Sequence, residues 1–365
     1  MQVSVFEHIN GDGYEQVVFC SDDQSGLRAI IAIHSTKLGP ALGGTRFYDY
    51  RSEGEALIDV LRLAKSMTYK AAAAGLDLGG GKAVIIGDPT RIKSEELLRA
   101  YGRFIETLGG RYITAEDVGT ALEDMDTVRR ETRWVCGCSH TYGGSGDPSP
   151  VTAYGVLQGI KACLLEVFGS AELEGRTVAL QGVGKVGFAL CGYLVEQGAK
   201  VTVGDISVDN LARAVSSHGI ETLPLDEIHK MEADIFAPCA LGGMINDDTI
   251  SEFRCKIIAG AANNQLARPE HGEKLRDLGI LYAPDFVINA GGLMNVEDEL
   301  RGYDRERAMQ RVEGIYKQLQ NIFALSRERS ISTAGAAEEY AQDRIRKISR
   351  IRLLRTTEYG TAGHQ

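Results

Sequence analysis

At 365 residues the chain exceeds one ordinary domain and suits two, each large enough for its own core, with a cleft between them. Hydrophobic residues make up 44% and charged residues 25%, close to the soluble globular average, which excludes a disordered chain, and a formal net charge of −10 excludes a phosphate-backbone partner, so no nucleic acid is expected. No uninterrupted apolar run approaches roughly 20 residues and residues 1–10 lack a basic start, so no membrane association is expected and the chain reads as cytoplasmic.

In chain order, residues 16–20 and 29–34 read as strands, and residues 53–74 as a long helix. In that helix Leu57, Val60, Leu61, Ala64, Met67 and Ala71 recur at three- and four-residue steps, so one face is buried. Strands are predicted at 83–86 and 112–114, on either side of a helix over 94–108. The first half is therefore α/β. Gly143, Gly144, Ser145, Gly146, Asp147, Pro148, Ser149 and Pro150 have the composition of a hinge, which places a domain boundary there. A helix follows over 153–168. Short apolar strands at 177–180, 200–203, 235–237, 256–259 and 280–282 then alternate with helices, the pattern of a doubly wound parallel sheet. The expected division is 1–147 and 148–332.

The seven cysteines lack the paired Cys-x-x-Cys spacing of a zinc site. Cys136 and Cys138 read as reduced bystanders, and no metal is expected.

Gly182, Val183, Gly184, Lys185, Val186 and Gly187 follow a strand and open a helix, the context that makes G-x-G-x-x-G informative. Gly182 permits a tight turn, Gly184 lets the backbone approach a pyrophosphate, and Gly187 allows close helix packing, with the helix N-terminus facing the negative charge. Asp205 ends the next strand, where its carboxylate bonds ribose hydroxyls. It would repel a 2′-phosphate, and no arginine follows it through Ile206, Ser207, Val208 and Asp209, so NAD is favoured over NADP. Later strand ends carry Cys239, Ala240 and Leu241, then Ala261, Asn263 and Asn264, then Asn289; they are expected to line the nicotinamide side.

Gly79, Gly80, Gly81 and Lys82 do not make a P-loop, because Leu76 stands where the first glycine belongs and Ala83 where Ser or Thr is required. What remains is a lysine in a glycine-rich turn at a sheet edge. From pattern alone it is a solvated lysine, Lys70 a snorkelling lysine at the border of its helix's apolar face, and Asp117 a turn or capping residue. None of the three is diagnostic alone.

Taken together, however, segments spanning nearly the whole chain resemble the Glu/Leu/Phe/Val dehydrogenase family. They are residues 38–46 (LGPALGGTR), 67–70 (MTYK), 79–82 (GGGK), 114–117 (TAED), 148–154 (PSPVTAY), 237–243 (APCALGG), 260–265 (GAANNQ) and 289–292 (NAGG). The resemblance implies an oxidoreductase that deaminates L-amino acids with NAD, and a homo-oligomer. It implies that Lys70 binds the substrate carboxylate, that Lys82 is the catalytic lysine, and that Asp117 exchanges a proton with the nitrogen at Cα. Gly43, Gly44 and Asn264 are implied at the substrate, Thr152 at the cofactor, and a return of the C-terminal helix, about 333–365, to the first domain. A general base must be neutral part of the time, so Lys82 needs a pKa below its ordinary ~10.4, and oxidative deamination is expected to be fastest at alkaline pH.

In glutamate-acting relatives the position before the paired glycines carries a lysine that receives the side-chain carboxylate; here it is Leu42. Met67, Ala115, Leu293 and Val296 match other side-chain-pocket positions, an apolar lining of aliphatic size. Branched aliphatic substrates are expected, and Leu293, where leucine enzymes commonly carry valine, shifts the balance towards valine. Ala71, in place of an asparagine frequent in relatives, and Lys185 with Gly187 in the phosphate turn are further departures. An aromatic-specific relative and a non-catalytic NAD-binding protein are the competing readings.

Overall fold

The computed structural model describes residues 5–351. A short helix α1 (Val5–Ile9) precedes strands β1 (Gln16–Asp22), β2 (Leu27–Ser35) and β3 (Ala41–Tyr48), then α2 (Glu53–Ala73), β4 (Gly79–Ile86), α3 (Pro89–Ile92), α4 (Glu95–Glu106), β5 (Tyr112–Glu116) and α5 (Leu122–Arg129). The strands form one sheet in the order β1-β2-β4-β3-β5. Its β4-β3 and β3-β5 pairs are parallel and the other two antiparallel. Helix α2 starts where Ser52 accepts a hydrogen bond from the Glu55 N–H, a cap that stabilises by about 1 kcal/mol. Its buried face (Val60, Leu61, Ala64) packs on Ile30, Ala32 and Val84, while Leu97, Tyr101, Ile105 and Val128 of α4 and α5 cover the opposite side.

Two features of this sheet differ from the sequence reading. Residues 41–48 form a strand with two neighbours, although Gly43 and Gly44 give it poor strand propensity. Residues 79–82 are not a turn at the sheet edge: they open β4, which lies between β2 and β3. The glycines are there for close approach. A Cβ on Gly79 would stand 1.8 Å from the Ser35 carbonyl oxygen, one on Gly80 2.1 Å from the Thr68 nitrogen, and one on Gly81 2.8 Å from the Tyr112 ring.

Beyond a short helical turn at His140–Tyr142 come α6 (Ser149–Phe168), β6 (Thr177–Gln181), α7 (Lys185–Glu196), β7 (Lys200–Gly204), α8 (Val208–His218), β8 (Glu221–Thr222), β9 (Ala233–Pro238) and β10 (Cys255–Ile258). They are followed by α9 (Glu270–Asp277), β11 (Leu281–Tyr282), α10 (Asp285–Ile288), α11 (Gly291–Asp298), α12 (Arg305–Arg329) and α13 (Thr333–Ser349). The second sheet is wholly parallel in the order β11-β10-β9-β6-β7-β8. Strand order reverses between β6 and β9, and the crevice beyond their carboxyl ends is where such sheets take ligands. Helix α6 is, among the described residues, the one helix long and apolar enough to cross a membrane; more than half of it is buried, packed on α7, α11 and α12.

The last helices come back to the first sheet. Helix α13 packs on α2, whose end needs acceptors satisfied. Gln318 donates to the Ala74 carbonyl at 2.9 Å, and Arg344 to the Leu76 carbonyl at 2.6 Å and the Gly75 carbonyl at 3.2 Å. Residues 352–365 of the stretch expected to return lie outside the described residues. Glu299 ties the other crossing: one carboxylate oxygen accepts from the Gly137 N–H at 2.9 Å, the other from the Ser145 N–H at 2.8 Å and hydroxyl at 2.6 Å.

Candidate active site

The parallel strands β3, β4 and β5 and the helix α2 bring three of the singled-out side chains to one end of the first sheet. Lys82 on β4 is buried, its side chain 8% exposed, and its ammonium lies 2.9 Å from Asp117 Oδ2. Asp117 directly follows β5, and its position is set by backbone contacts: its N–H donates to Thr120 Oγ1 at 2.9 Å, and Thr120 sits within 3.0 Å of the Thr45 carbonyl oxygen. Burial pulls Lys82 below its ordinary pKa, against the attraction of Asp117. Burial alone would raise the Asp117 carboxyl, but Lys82 and Arg46 outweigh it and hold it below the usual range.

Lys70, near the end of α2, donates to Asn289 Oδ1 at 2.7 Å. The Asn289 amide in turn donates to the Ala261 carbonyl at 3.1 Å and to Asn263 Oδ1 at 2.7 Å. One hydrogen-bonded row therefore joins the first sheet's lysine to the carboxyl edge of the second sheet. Burial brings Lys70 down to about 8, Lys82 adds like-charge repulsion, and Asp285 and Asp117 oppose it.

The glycine loop lies beyond β6. Gly182 adopts φ +93°, a left-handed conformation that an L side chain avoids, and a Cβ on Gly187 would stand 1.9 Å from the Gly182 carbonyl oxygen. A Cβ on Gly184 would meet nothing within 4 Å: the space in front of the N-terminus of α7 is open. Asp205 Oδ2 accepts from the Val183 N–H at 2.6 Å and Oδ1 from the Ser207 N–H at 2.7 Å, so the acid is fixed at the end of β7. A cavity of about 500 Å³ has both Asp117 and Lys185 in its wall, together with Glu116 and Asp147, so the two sites open onto one cleft. A larger groove of about 790 Å³ lies on the other side of Arg46, among Tyr48, Tyr50, Ile58 and Asp59, and contains none of the sequence-predicted site residues.

Residues 14–134 match the Glu/Leu/Phe/Val dehydrogenase dimerisation domain, and residues 202–355 the Glutamate/Leucine/Phenylalanine/Valine dehydrogenase family. The chain is 55% identical to the leucine dehydrogenase of Geobacillus stearothermophilus over 96% of this chain and 95% of that one. The chain belongs to the Glu/Leu/Phe/Val dehydrogenase family. It is also 52% identical to the valine dehydrogenase of Streptomyces coelicolor, over 93% of this chain and 94% of that one. The crystal structure of L-tryptophan dehydrogenase from Nostoc punctiforme superposes with a TM-score of 0.85 at 45% identity, covering 95% of this chain and all of that one.

In this dehydrogenase the residues expected to line a side-chain pocket are placed unevenly. Leu42 and Leu293 are buried in one apolar cluster against which Met67 and Val296 pack, and Ala115 pairs with Gly44 between β5 and β3. Met67 Cγ lies 3.4 Å from where a Cβ on Gly43 would stand. Asn264 stands apart: it is exposed, with φ 51°, and its carbonyl takes the Gly243 N–H at 2.7 Å. Val186 packs against the core behind the loop. Ile206 and Leu241, 88% and 86% exposed, stand as bare apolar side chains following β7 and β9. The Cys239 N–H donates to the Gln181 carbonyl at 2.7 Å, Ala240 abuts Gly182, and Thr152 abuts Gly292 rather than the glycine loop.

Arg46, Asp59 and Asp285 were given no role from the sequence. Arg46 Nε lies 3.1 Å from Asp117 Oδ2, and its Nη1 2.8 Å from Asp59 Oδ2. Asp285 is fixed by the Gln265 N–H at 2.9 Å and is the carboxylate that most favours a charged Lys70. A signal existed for Asp59: it precedes Lys70 by eleven residues (70 − 59), about three turns of 3.6, which places both on one stripe of α2.

Proposed function

We propose that this chain catalyses the NAD-dependent oxidative deamination of branched-chain aliphatic L-amino acids to 2-oxo acids and ammonia, and the reverse reductive amination. The observation that carries the reading is the pair of buried Lys82 and half-buried Asp117 at 2.9 Å, opening onto the same cleft as the glycine loop. We read residues 1–147, with the C-terminal stretch 333–365, as the substrate-binding unit and residues 148–332 as the dinucleotide-binding unit. The match of residues 14–134 to a dimerisation domain supports a homo-oligomer, and the acidic composition suits the cytoplasm.

The open space at Gly184, the uncapped N-terminus of the twelve-residue α7 and the fixed Asp205 suit a dinucleotide. Gly182, Val183, Gly184, Lys185, Val186 and Gly187 would hold its pyrophosphate, Asp205 its ribose, and Ile206 and Leu241 the flat faces of its base. Cys239, Ala240, Ala261, Asn263, Asn289 and Thr152 would border the nicotinamide, whose chemistry when bound is to accept the Cα hydrogen as hydride.

The ammonium of Lys70 takes the substrate carboxylate, while Gly43 and Gly44 let the substrate approach the sheet backbone. Asp117 accepts a proton from the substrate ammonium, freeing the nitrogen lone pair to drive the hydride from Cα. Neutral Lys82 removes a proton from the water that attacks the resulting iminium. Asp117 then returns its proton to the nitrogen, the C–N bond breaks, the carbonyl forms, and the hydroxyl proton is released. Leu42, buried and uncharged, offers no partner to a side-chain carboxylate, whose burial without a cation is costly, so glutamate is disfavoured. Met67, Ala115, Leu293 and Val296 complete an aliphatic lining.

The test is NADH formation at 340 nm with leucine, valine, isoleucine, phenylalanine and glutamate at alkaline pH. The expected outcome is turnover on the three branched substrates. Faster turnover on phenylalanine would replace this specificity, and no turnover with NAD still bound would make the chain a non-catalytic NAD-binding protein.

A further inference from the structure

Asp117 receives both of its cations on one oxygen: Lys82 Nζ at 2.9 Å and Arg46 Nε at 3.1 Å both lie on Oδ2. Arg46 is not a loose surface partner. Its side chain is 23% exposed, and its second arm, Nη1, lies 2.8 Å from Asp59 Oδ2, a carboxylate 15% exposed. Asp59 is itself fixed, by the Tyr50 hydroxyl at 2.8 Å on Oδ2 and by Arg62 at 3.0 Å on Oδ1. The alternating row Lys82, Asp117, Arg46, Asp59 and Arg62 therefore runs from β4 through β5 and β3 to α2.

The two cations differ in one respect that matters to the chemistry proposed above. Lys82 has to give up its proton in every turnover, and at that moment a half-buried carboxylate with only a lysine partner would lose its counter-ion. It would then be free to rotate or to hold a proton it should pass on. A guanidinium does not deprotonate in a protein and, with a planar fork, keeps its direction. Because both cations share Oδ2, Arg46 also competes with Lys82 for the same oxygen. Resting on the reading of Lys82 and Asp117 given under Proposed function, we propose that Arg46, held by Asp59, which Tyr50 in turn fixes, is a positioning residue. It keeps Asp117 Oδ2 paired throughout the proton cycle of Lys82 and leaves Oδ1 to exchange a proton with the substrate nitrogen.

The electrostatics agree with the geometry. Among its neighbours, Arg46 is a cause that lowers both the Asp117 carboxyl and the Lys82 ammonium, after burial and their mutual attraction. The charged and titratable groups around Asp117 are Lys82 on β4, Arg46 on β3, Asp59 and Lys70 on α2, Tyr50 before α2, and Glu116 on β5. Across the cavity, Lys185 and Asp147 act on Glu116. Loss of Arg46 removes a cation from this set, so both Asp117 and Lys82 move upward.

The experiment is the pH dependence of kcat for the full-length enzyme and for Arg46→Gln, Arg46→Lys and Asp59→Asn, with KM for the amino acid, NAD binding and Tm measured alongside. In Arg46→Gln the rising limb of kcat is expected about one pH unit higher, because a nearby like charge that favours neutral Lys82 is lost. Its kcat at pH 8 falls about tenfold, with NAD binding unchanged and KM changed less than threefold. Arg46→Lys restores most of the limb position, and Asp59→Asn, which removes a carboxylate that raises Lys82, shifts it by less and towards lower pH. If Arg46→Gln does not fold, the equally uncharged Arg46→Met is measured in its place. A limb that stays at its original pH in the folded variants, whatever happens to Tm, reduces Arg46 to a strut between β3 and α2 and overturns the proposal alone. Absence of turnover in the unsubstituted enzyme overturns the functional reading and this proposal with it.

Discussion

The two walls of the cleft handle charge by different means. On the glycine-loop side the groups are backbone N–H groups at the start of α7 and one carboxylate, Asp205, which reaches back to Val183 across 22 residues. On the lysine side they are ionised side chains from four elements, with buried Lys82 against half-buried Asp117 and Arg46 paired to an aspartate 71 residues away. Backbone dipoles carry a fixed charge that pH does not alter, whereas side-chain ions gain and lose protons. The first wall therefore suits binding an anion that never changes, and the second suits moving protons.

The largest separation of the two walls is expected from Lys82→Ala. Removing a general base costs about 10²–10⁴-fold in rate, and because Lys82 touches no part of the glycine loop, the affinity for NAD should be unchanged. Initial rates at 340 nm together with a fluorescence titration of NAD check both halves. Retained turnover within tenfold of the parent would remove Lys82 from the chemistry, and lost NAD binding would mean that the walls are not independent.

The converse variant, Asp205→Ala, is expected to raise KM for NAD by about 10- to 100-fold, the loss of a hydrogen bond to a charged group at about 1.5–3 kcal/mol. It should leave kcat within about threefold. A fall in Tm is also expected, since Asp205 fixes the backbone N–H groups of Val183 and Ser207. A variant that loses kcat with KM for NAD unchanged would show that Asp205 does not hold the ribose.

The same contrast explains what the sequence could reveal. The glycine loop and Asp205 are nearly local: strand, turn, helix and next strand follow one another, so spacing alone carries the geometry. The lysine wall is assembled from distant elements, and each residue has an ordinary explanation by itself. Gly79, Gly80 and Gly81 look like a turn because glycine usually supplies conformational freedom; here it supplies room for Ser35, Thr68 and Tyr112, a requirement visible only after packing. Strand β3 went unread for the same reason, with Gly43 pressed against the Gly81 carbonyl and Gly44 against that of Glu116. Arg46 sat on that unread strand, and so its pairing with Asp117 had no frame in which to be seen. Only the resemblance of whole segments linked Lys70, Lys82 and Asp117 beforehand.

The pH response should also divide by wall. In the role proposed for it, Lys70 has to be charged to hold a substrate carboxylate, and burial brings it down to about 8. It is protonated below that value and neutral above it, so kcat/KM for the amino acid should decline as pH rises through about 8. In the complex the bound carboxylate keeps Lys70 charged, and kcat continues to rise as Lys82 becomes neutral. KM for NAD should vary little over the same range, because the backbone N–H groups at the start of α7 do not titrate. A kcat/KM for the amino acid that climbs without a break to pH 10 would show that Lys70 stays charged without substrate.

The smallest effect is expected where neither wall bears charge. Leu293, on α11, is buried in the apolar cluster that also holds Leu42, with Met67 and Val296 packed against it. Leu293→Val removes one methylene, which in an apolar pocket is worth about 1–3 kcal/mol of discrimination. The lower end applies here, because the cluster can partly relax into the space. The ratio of kcat/KM for leucine over valine should therefore rise about tenfold, with Tm lowered by the modest cost of a shortened core side chain. The pH profile and NAD affinity should not move. A ratio unchanged within experimental scatter would place Leu293 behind the pocket wall, and substrate choice would then rest on Met67, Ala115 and Val296.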